Sequence, residues 1–179
     1  VLHQVLQQAH EWSKAGLPPV RISLNLSAVS FREAAPYELL ATALAATGAD
    51  PSQLELEITE STVMASTEHS VRVLDRIRNL GVRVAVDDFG TGYSSLAYLQ
   101  RFPIDRLKID RSFMGGIDRE PPQTGIISAI IQLGLGLGMH VIAEGVETES
   151  QLSYLRAAGC HEAQGYLFSR AVAPEKVEA

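Results

Sequence analysis

The sequence contains a single cysteine, Cys160, so no disulfide bond can form within the chain. It also lacks a signal-peptide pattern at its start, in which a positively charged segment precedes a short apolar run. These two absences are typical of proteins from a reducing compartment. We therefore expect a cytoplasmic location, and other domains of a parent protein could still tether it to a membrane.

Basic residues are also scarce. The chain has 15 Lys and Arg residues against 21 Asp and Glu residues, which gives a formal net charge of -6. Proteins that bind nucleic acids usually carry an excess of positive charge. We therefore expect no DNA or RNA binding, and the acidic excess directs attention to divalent cations.

Long apolar runs are missing as well. Residues 125–143 come nearest to a membrane span, but Ser128, Gln132 and three glycines interrupt them, so they are better read as a helix followed by a buried strand. With 179 residues, 46% of them hydrophobic, the chain suffices for one domain with a core, which we place at residues 1–179. Because the chain begins at Val1, we expect it to be part of a longer protein.

Short β-rich segments alternate with segments of helical periodicity along most of the chain. Such alternation predicts parallel β-α units. Most of the strands follow a glycine that is suited to end the preceding helix. The predicted strands are Val20–Ser27, Leu54–Glu60, Val82–Asp88, Arg106–Asp110, His140–Glu144 and the run that ends in Phe168.

Each predicted strand carries a polar residue at or near its carboxyl end, and parallel strands bring such ends to one face. Within a strand, bulky and polar residues alternate: Ile22 and Leu24 oppose Ser23 and Asn25. A doubly wound open sheet would require both faces to be apolar. The pattern therefore favours an α/β barrel with a polar mouth. The polar strand ends are Asn25, Glu57, Asp87, Lys108, Glu144 and Gln164.

The strand spacing predicts an incomplete barrel. Five intervals separate Asn25 from Gln164, so the strand ends recur about every 28 residues, the usual size of one unit of a (β/α)8 barrel. Eight such units need about 220 residues. We therefore expect a TIM-like (β/α)8 barrel with about six of its eight strands present and the first two missing.

The predicted mouth is rich in carboxylates, and two of them about 4 Å apart repel each other by roughly 4 kcal/mol. Together with the amide of Asn25 they form a hard-oxygen donor set, which suits Mg2+ or Mn2+ better than zinc. Adjacent Asp87 and Asp88 are suited to bridging two ions that activate water and bind a phosphoryl group. Some of the acids could instead cap helices, as Glu147 could do for the following segment. The seven carboxylates are Glu57, Glu60, Asp87, Asp88, Asp110, Glu144 and Glu147.

Lys108 lies between two apolar neighbours, on the side of its predicted strand that faces the mouth. It could neutralise a phosphate or assist a nucleophilic water, or it could pair with Asp110 or another acid, and these roles are compatible. A Schiff-base aldolase that uses Lys108 is a further alternative. The segment Phe89–Leu96, with two glycines, suits a loop over the site.

Six motifs together resemble the EAL family of cyclic di-GMP phosphodiesterases, in the family's order and spacing and over essentially the whole chain. The motifs are Asn25-Leu-Ser27, Glu57-Ile-Thr-Glu60-Ser61, Asp87-Asp-Phe-Gly-Thr-Gly-Tyr-Ser-Ser-Leu96, Leu107-Lys-Ile-Asp110, Glu144-Gly-Val-Glu147 and Gln164-Gly-Tyr-Leu-Phe168.

The resemblance implies a TIM-like barrel that hydrolyses cyclic di-GMP to linear pGpG with two Mg2+ or Mn2+ ions. It assigns Asn25, Glu57 and Asp87 to one ion, and Asp87, Asp88 and Glu144 to the other. The catalytic residues that it implies are Lys108, Asp88 and Glu144.

The resemblance also implies supporting roles. Gln164, Asp110 and Glu147 would bind the substrate or hold the residues that do. Glu60 would brace the loop Asp88–Leu96, through which family members couple dimer contacts to activity, so a homodimer is expected. A regulatory or diguanylate-cyclase-like domain is expected upstream.

Two departures from the family pattern stand out. The Glu-Ala-Leu strand, which carries a further metal ligand, lies before the start of this chain, and Ala171 replaces a common proline. Because the Glu-Ala-Leu strand lies outside this chain, a second interpretation stays open, in which the protein is a non-catalytic cyclic di-GMP receptor or interaction module. Because all the motifs present retain their acids, the sequence favours the enzyme.

Overall fold

The computed structural model describes residues 1–33, 36–92 and 96–177 of the chain. In these ranges it forms alternating strands and helices, as the periodicity predicts. None of the helices in these three ranges has the length and apolar character needed to cross a bilayer.

The strands form one parallel sheet in which neighbours in sequence are also neighbours in space. The sheet curls into a half barrel, which confirms the predicted barrel type and its six strands. That two further strands precede the first one stays a prediction. The strands are β1 Ile22–Asn25, β2 Leu54–Thr59, β3 Arg83–Phe89, β4 Arg106–Ile109, β5 His140–Glu144 and β6 Glu162–Gln164.

Helices connect the strands and cover the convex face of the sheet. The α-helices are α1 Leu2–Lys14, α2 Ala28–Glu33, α3 Pro36–Thr47, α4 Glu60–Met64, α5 Thr67–Asn79, α6 Leu96–Leu99, α7 Gly125–Gly136 and α8 Glu149–Ala158. Short 3-10 helices span Pro51–Gln53, Arg111–Gly116 and Pro174–Lys176. Helix α8 ends at Gly159, whose φ of 84° lies in the left-handed region that glycine adopts without steric cost.

The two faces of the sheet differ in chemistry, as the strand parity predicts. Leu54, Leu56 and Ile58 of β2 point outward and are at most 4% exposed, because they form the core with the surrounding helices. The side chains between them, such as Glu55 and Glu57, point to the concave face. This alternation places polar side chains from every strand on one concave surface.

Candidate active site

Lys108 lies at the centre of the polar strand ends. Its Nζ is 2.7 Å from Glu57 Oε1, 3.3 Å from Asp87 Oδ1 and 2.5 Å from Glu144 Oε1. The Lys108 side chain is only 6% exposed, and the three acids come from β2, β3 and β5. Parallel pairing brings these strand ends together, so four of the predicted site residues meet at one point.

This arrangement perturbs the pKa values of Lys108 and Glu144. Burial alone would lower the pKa of Lys108, but hydrogen bonds to Glu144 and Glu57 outweigh it and raise that pKa well above its usual range. The pKa of Glu144 is raised, chiefly by burial, although Lys108 opposes the shift. Lys108 therefore remains an ammonium group at neutral pH.

A β-bulge allows the side chains of both Asp87 and Asp88 to face the mouth of the half barrel. Adjacent residues of a regular strand face opposite sides of the sheet. Between Val86 and Phe89 the pairing with β4 shifts by one residue, and Asp88 has a φ of 54°. Left-handed backbone is tolerated by Asp better than by most residues. The extra residue turns Asp88 away from the helices and returns Phe89 to the core, where it is 4% exposed.

Asp88 and Asp110 are close enough to influence each other. The pKa of Asp88 is raised by burial and by the negative charges of Asp87 and Asp110. The pKa of Asp110 is lowered, since hydrogen bonds from Ser112 outweigh its burial. Asp110 Oδ1 accepts a hydrogen bond from the Ser112 N–H at 3.0 Å and so caps the following 3-10 helix. The ion pairs of Lys108 are with Glu57, Asp87 and Glu144 and not with Asp110.

Glu60 is buried and contacts the loop that follows β3. Its Oε2 accepts a hydrogen bond from the Gly90 N–H at 3.0 Å. A Cβ at Gly92 would come within 2.8 Å of Glu60 Oε1, so a larger residue there would displace the Glu60 carboxylate. Glu60 thus holds the described start of the predicted loop; Tyr93, Ser94 and Ser95 of the motif lie outside the described residues.

The remaining predicted residues lie at the rim of the mouth. Asn25 ends β1 opposite Glu57, and Gln164 ends β6 opposite Glu144. Glu144, Glu147 and Gln164 line a cavity of about 210 Å³. The alternative in which Glu147 caps a helix is wrong, because the cap of α8 is Thr148, whose hydroxyl accepts from the Gln151 N–H in a capping box.

The donor set fits hard divalent cations in its chemistry. Carboxylates of Glu57, Asp87, Asp88 and Glu144, with the amide oxygen of Asn25, are ligands that Mg2+, Mn2+ and Ca2+ accept. Within the described ranges no three acidic, histidine or cysteine side chains surround a common point as ligands. The ammonium of Lys108 lies among the carboxylates instead and neutralises part of their charge.

Two groups of residues at or near the site were not predicted from the sequence. Arg111 and Tyr166 line the cavity beside Gln164, and each lies two residues after the end of a strand. Glu55 and Arg106 are buried on the concave face, 1% and 5% exposed, and strand parity could have revealed them because each lies two residues before a site residue.

Comparisons with known proteins agree with this geometry. Residues 1–171 match the EAL domain family. The bifunctional diguanylate cyclase/cyclic di-GMP phosphodiesterase MucR of Pseudomonas aeruginosa is 40% identical over the whole chain, which spans 26% of MucR. The cyclic di-GMP phosphodiesterase NbdA of the same organism is 42% identical over 95% of the chain, which spans 22% of NbdA. The chain thus spans about a quarter of these relatives.

Solved structures extend the likeness to three dimensions. The PaMucR phosphodiesterase in its c-di-GMP complex superposes with a TM-score of 0.94 at 40% identity, over 98% of this chain and 71% of that one. Klebsiella pneumoniae BlrP1, in a complex with manganese and cyclic di-GMP, superposes with a TM-score of 0.80 at 30% identity, over 94% of this chain and 42% of that one. The chain belongs to the EAL domain family.

Proposed function

We propose that this chain is the catalytic part of a phosphodiesterase that hydrolyses cyclic di-GMP to linear pGpG in bacterial signalling. The observation that carries the proposal is the convergence of Glu57, Asp87 and Glu144 on Lys108 at the mouth of an EAL domain. MucR and NbdA, which share this domain, are named as cyclic di-GMP phosphodiesterases. The substrate follows from the family, and the kind of chemistry follows from the donor set.

We further propose a site for two Mg2+ or Mn2+ ions. Asn25, Glu57 and Asp87 would hold one ion, and Asp87, Asp88 and Glu144 the other. Bound there, such ions supply an activated water and charge neutralisation at a phosphoryl group. The BlrP1 complex with manganese and cyclic di-GMP supports divalent metal dependence in this family, while the number and identity of the ions remain part of the proposal.

Lys108 acts as a fixed positive charge in this proposal. Its raised pKa keeps the amine protonated, so it can donate hydrogen bonds to a phosphate oxygen or an attacking water but cannot serve as a base. The same raised pKa argues against the Schiff-base alternative, since that chemistry requires a neutral amine. Glu144 and Asp88, with raised pKa values, would hold protons more readily than ordinary acids.

The rim residues would orient the substrate. Gln164 and Glu147 share a cavity with Glu144 and would contact the dinucleotide there. Asp110, fixed by Ser112, would orient Asp88, and Glu60 would brace the loop after β3. The proposal also includes a cytoplasmic location, which agrees with the single cysteine. It further includes a fused upstream domain, which agrees with the bifunctional name of MucR, and a homodimer.

The proposal is tested with the protein that contains this chain, cyclic di-GMP and a chromatographic assay for pGpG. We expect Mg2+- or Mn2+-dependent product, lost in Asp87→Asn and kept in the matched control Asp75→Asn, which changes an exposed aspartate of α5. Undiminished turnover in excess chelator would contradict the metal site. Binding of cyclic di-GMP without any hydrolysis would favour the receptor interpretation instead.

A further inference from the structure

A second ionic cluster lies on the concave face, below the candidate active site. Arg106 on β4 contacts Glu55 on β2, with Nη1 and Oε2 3.4 Å apart, and it also contacts Glu162 Oε1 on β6. We call Glu55, Arg106 and Glu162 the cross-strand tie. Ser23 Oγ on β1 donates to Glu55 Oε1 at 3.1 Å, and His140 Nε2 on β5 lies 2.9 Å from Glu162 Oε1.

The cross-strand tie requires a curved sheet. Neighbouring strands are about 4.8 Å apart, so β2 and β6 would be about 19 Å apart in a flat sheet. One guanidinium contacts carboxylates from both strands, although each glutamate side chain is short. These contacts form only if β2 and β6 bend toward each other across the concave face, with β4 between them.

Each member of the tie lies two residues before a site residue on its own strand. Glu55 precedes Glu57, Arg106 precedes Lys108, and Glu162 precedes Gln164. Two residues of a strand span about 6.6 Å and restore the same face. Any opening of the sheet at the level of the tie would therefore be transmitted to the site residues directly above it.

Stability does not explain why charges are buried here. Glu55 is 1% exposed and Arg106 is 5% exposed. Replacing a buried ion pair by apolar residues of similar size is often neutral or stabilising, because burial of the charges costs most of what their attraction gains. A directional contact between fixed strands, however, is something that apolar residues cannot supply.

We propose that Arg106 is a positioning residue, which fixes the curvature of the sheet by contacting Glu55 and Glu162 at once and so sets the separation of the site residues on β2 from those on β6. Its effect on catalysis rests on the phosphodiesterase activity proposed above. Its effect on the curvature of the sheet does not depend on that activity and can be measured separately.

The test compares the complete protein with the double variant Arg106→Met/Glu55→Met, which removes both buried charges and leaves neither unpaired. Nitroxide labels are attached at Val29→Cys, which follows β1, and at Phe168→Cys, which follows β6, in a Cys160→Ser background. Pulsed electron paramagnetic resonance between them reports the distance between the two edges of the sheet. Both label sites are more than half exposed. The matched control is Arg76→Met/Glu38→Met, which removes an exposed ion pair between α5 and α3.

We expect the Arg106 double variant to fold, to show a longer or broader label distance, and to lose about 100-fold in kcat, the cost typical of a misplacement of about 1 Å. Arg106→Lys should recover part of both effects, and the control pair should change neither. An unchanged distance distribution in the folded double variant would overturn the proposal, as would an unchanged kcat.

Two further arms keep the outcomes separate. If the wild type does not hydrolyse cyclic di-GMP, the proposed function fails while the label distance still decides the role of Arg106. If the double variant does not fold, Glu162→Gln removes one half of the tie at a side chain that is 44% exposed, and the same distance measurement applies. A Glu162→Gln protein with the wild-type distance would count against the tie.

Discussion

Replacing Lys108 by methionine should destabilise the metal-free protein strongly. The ammonium lies 2.5–3.3 Å from three carboxylate oxygens, and each attraction amounts to about 5 to 7 kcal/mol at an effective dielectric constant near 20. The cost of removing the four charged groups from water offsets most of this sum. Breaking a buried ion pair by deleting one partner typically costs about 3–5 kcal/mol, and we expect a loss of that size.

Divalent cations should reverse much of this loss. Without Lys108, the three carboxylates keep their mutual repulsion until a cation binds among them. A ligand at 100 times its Kd stabilises the folded state by about 2.7 kcal/mol. Because the lysine no longer competes for the same oxygens, we expect Mn2+ to stabilise Lys108→Met more than it stabilises the wild type.

The assay is urea unfolding followed by circular dichroism, in chelator and in millimolar Mn2+. Lys14→Met, at the exposed end of α1, is the control and should leave stability within about 0.5 kcal/mol of the wild type. A loss below about 1 kcal/mol for Lys108→Met in chelator would refute the argument, since it would mean that the carboxylates do not depend on this charge. Equal stabilisation of the wild type and Lys108→Met by Mn2+ would refute the competition between Lys108 and the cation for these oxygens.

Three further predictions concern other parts of the chain. Asp88→Asn should abolish hydrolysis yet stabilise the metal-free protein by about 1 kcal/mol in urea unfolding, since it removes a partly buried charge beside like charges and Asn tolerates a φ of 54°; a destabilised variant would contradict this. Gly134→Ala should cost about 1–3 kcal/mol because its Cβ would lie 2.5 Å from Val141 Cγ2, whereas Gly136→Ala, with open space around it, should be neutral or stabilising in the same measurement. Burial, together with the nearby guanidinium of Arg106, lowers the pKa of His140. The unfolded chain therefore binds more protons than the folded protein, and the free energy of unfolding falls as the pH drops through about 6.5. His140→Gln should flatten that fall between pH 7.5 and 5.5, and an unchanged slope would show that the histidine is not its source.

The fold was predictable from the sequence because its signals repeat. Six strands with alternating bulky and polar residues, each with a polar residue at or near its carboxyl end, indicate both the parallel sheet and the face on which the site lies. Strand bounds differ by one to a few residues, as at Val82–Asp88, which became Arg83–Phe89. That Glu57, Asp87, Lys108 and Glu144 lie at the same edge of the sheet follows from the order and direction of the strands.

Other features of the site depend on three-dimensional detail that no periodicity carries. Lys108 on β4 pairs with Asp87 and Glu144 from the adjacent strands β3 and β5, and the curvature of the sheet also brings Glu57 from β2, one strand further away, within reach. The contact of Glu60 with the Gly90 N–H joins residues 30 positions apart. The sequence left open whether Glu147 caps α8, because Glu147 and Thr148 are both acceptable near a helix start, and only Thr148 has the capping geometry.

The bulge at Asp87 and Asp88 bears on how such a site could be rebuilt elsewhere. A designer who writes two consecutive aspartates at the end of an ordinary strand obtains one carboxylate at the mouth and another beneath the helices. To transplant the pair, the extra residue and its left-handed backbone must be copied too, together with a neighbouring strand whose hydrogen bonds tolerate the shift. The unit of transfer is therefore a strand pair with its irregularity, not a two-residue motif.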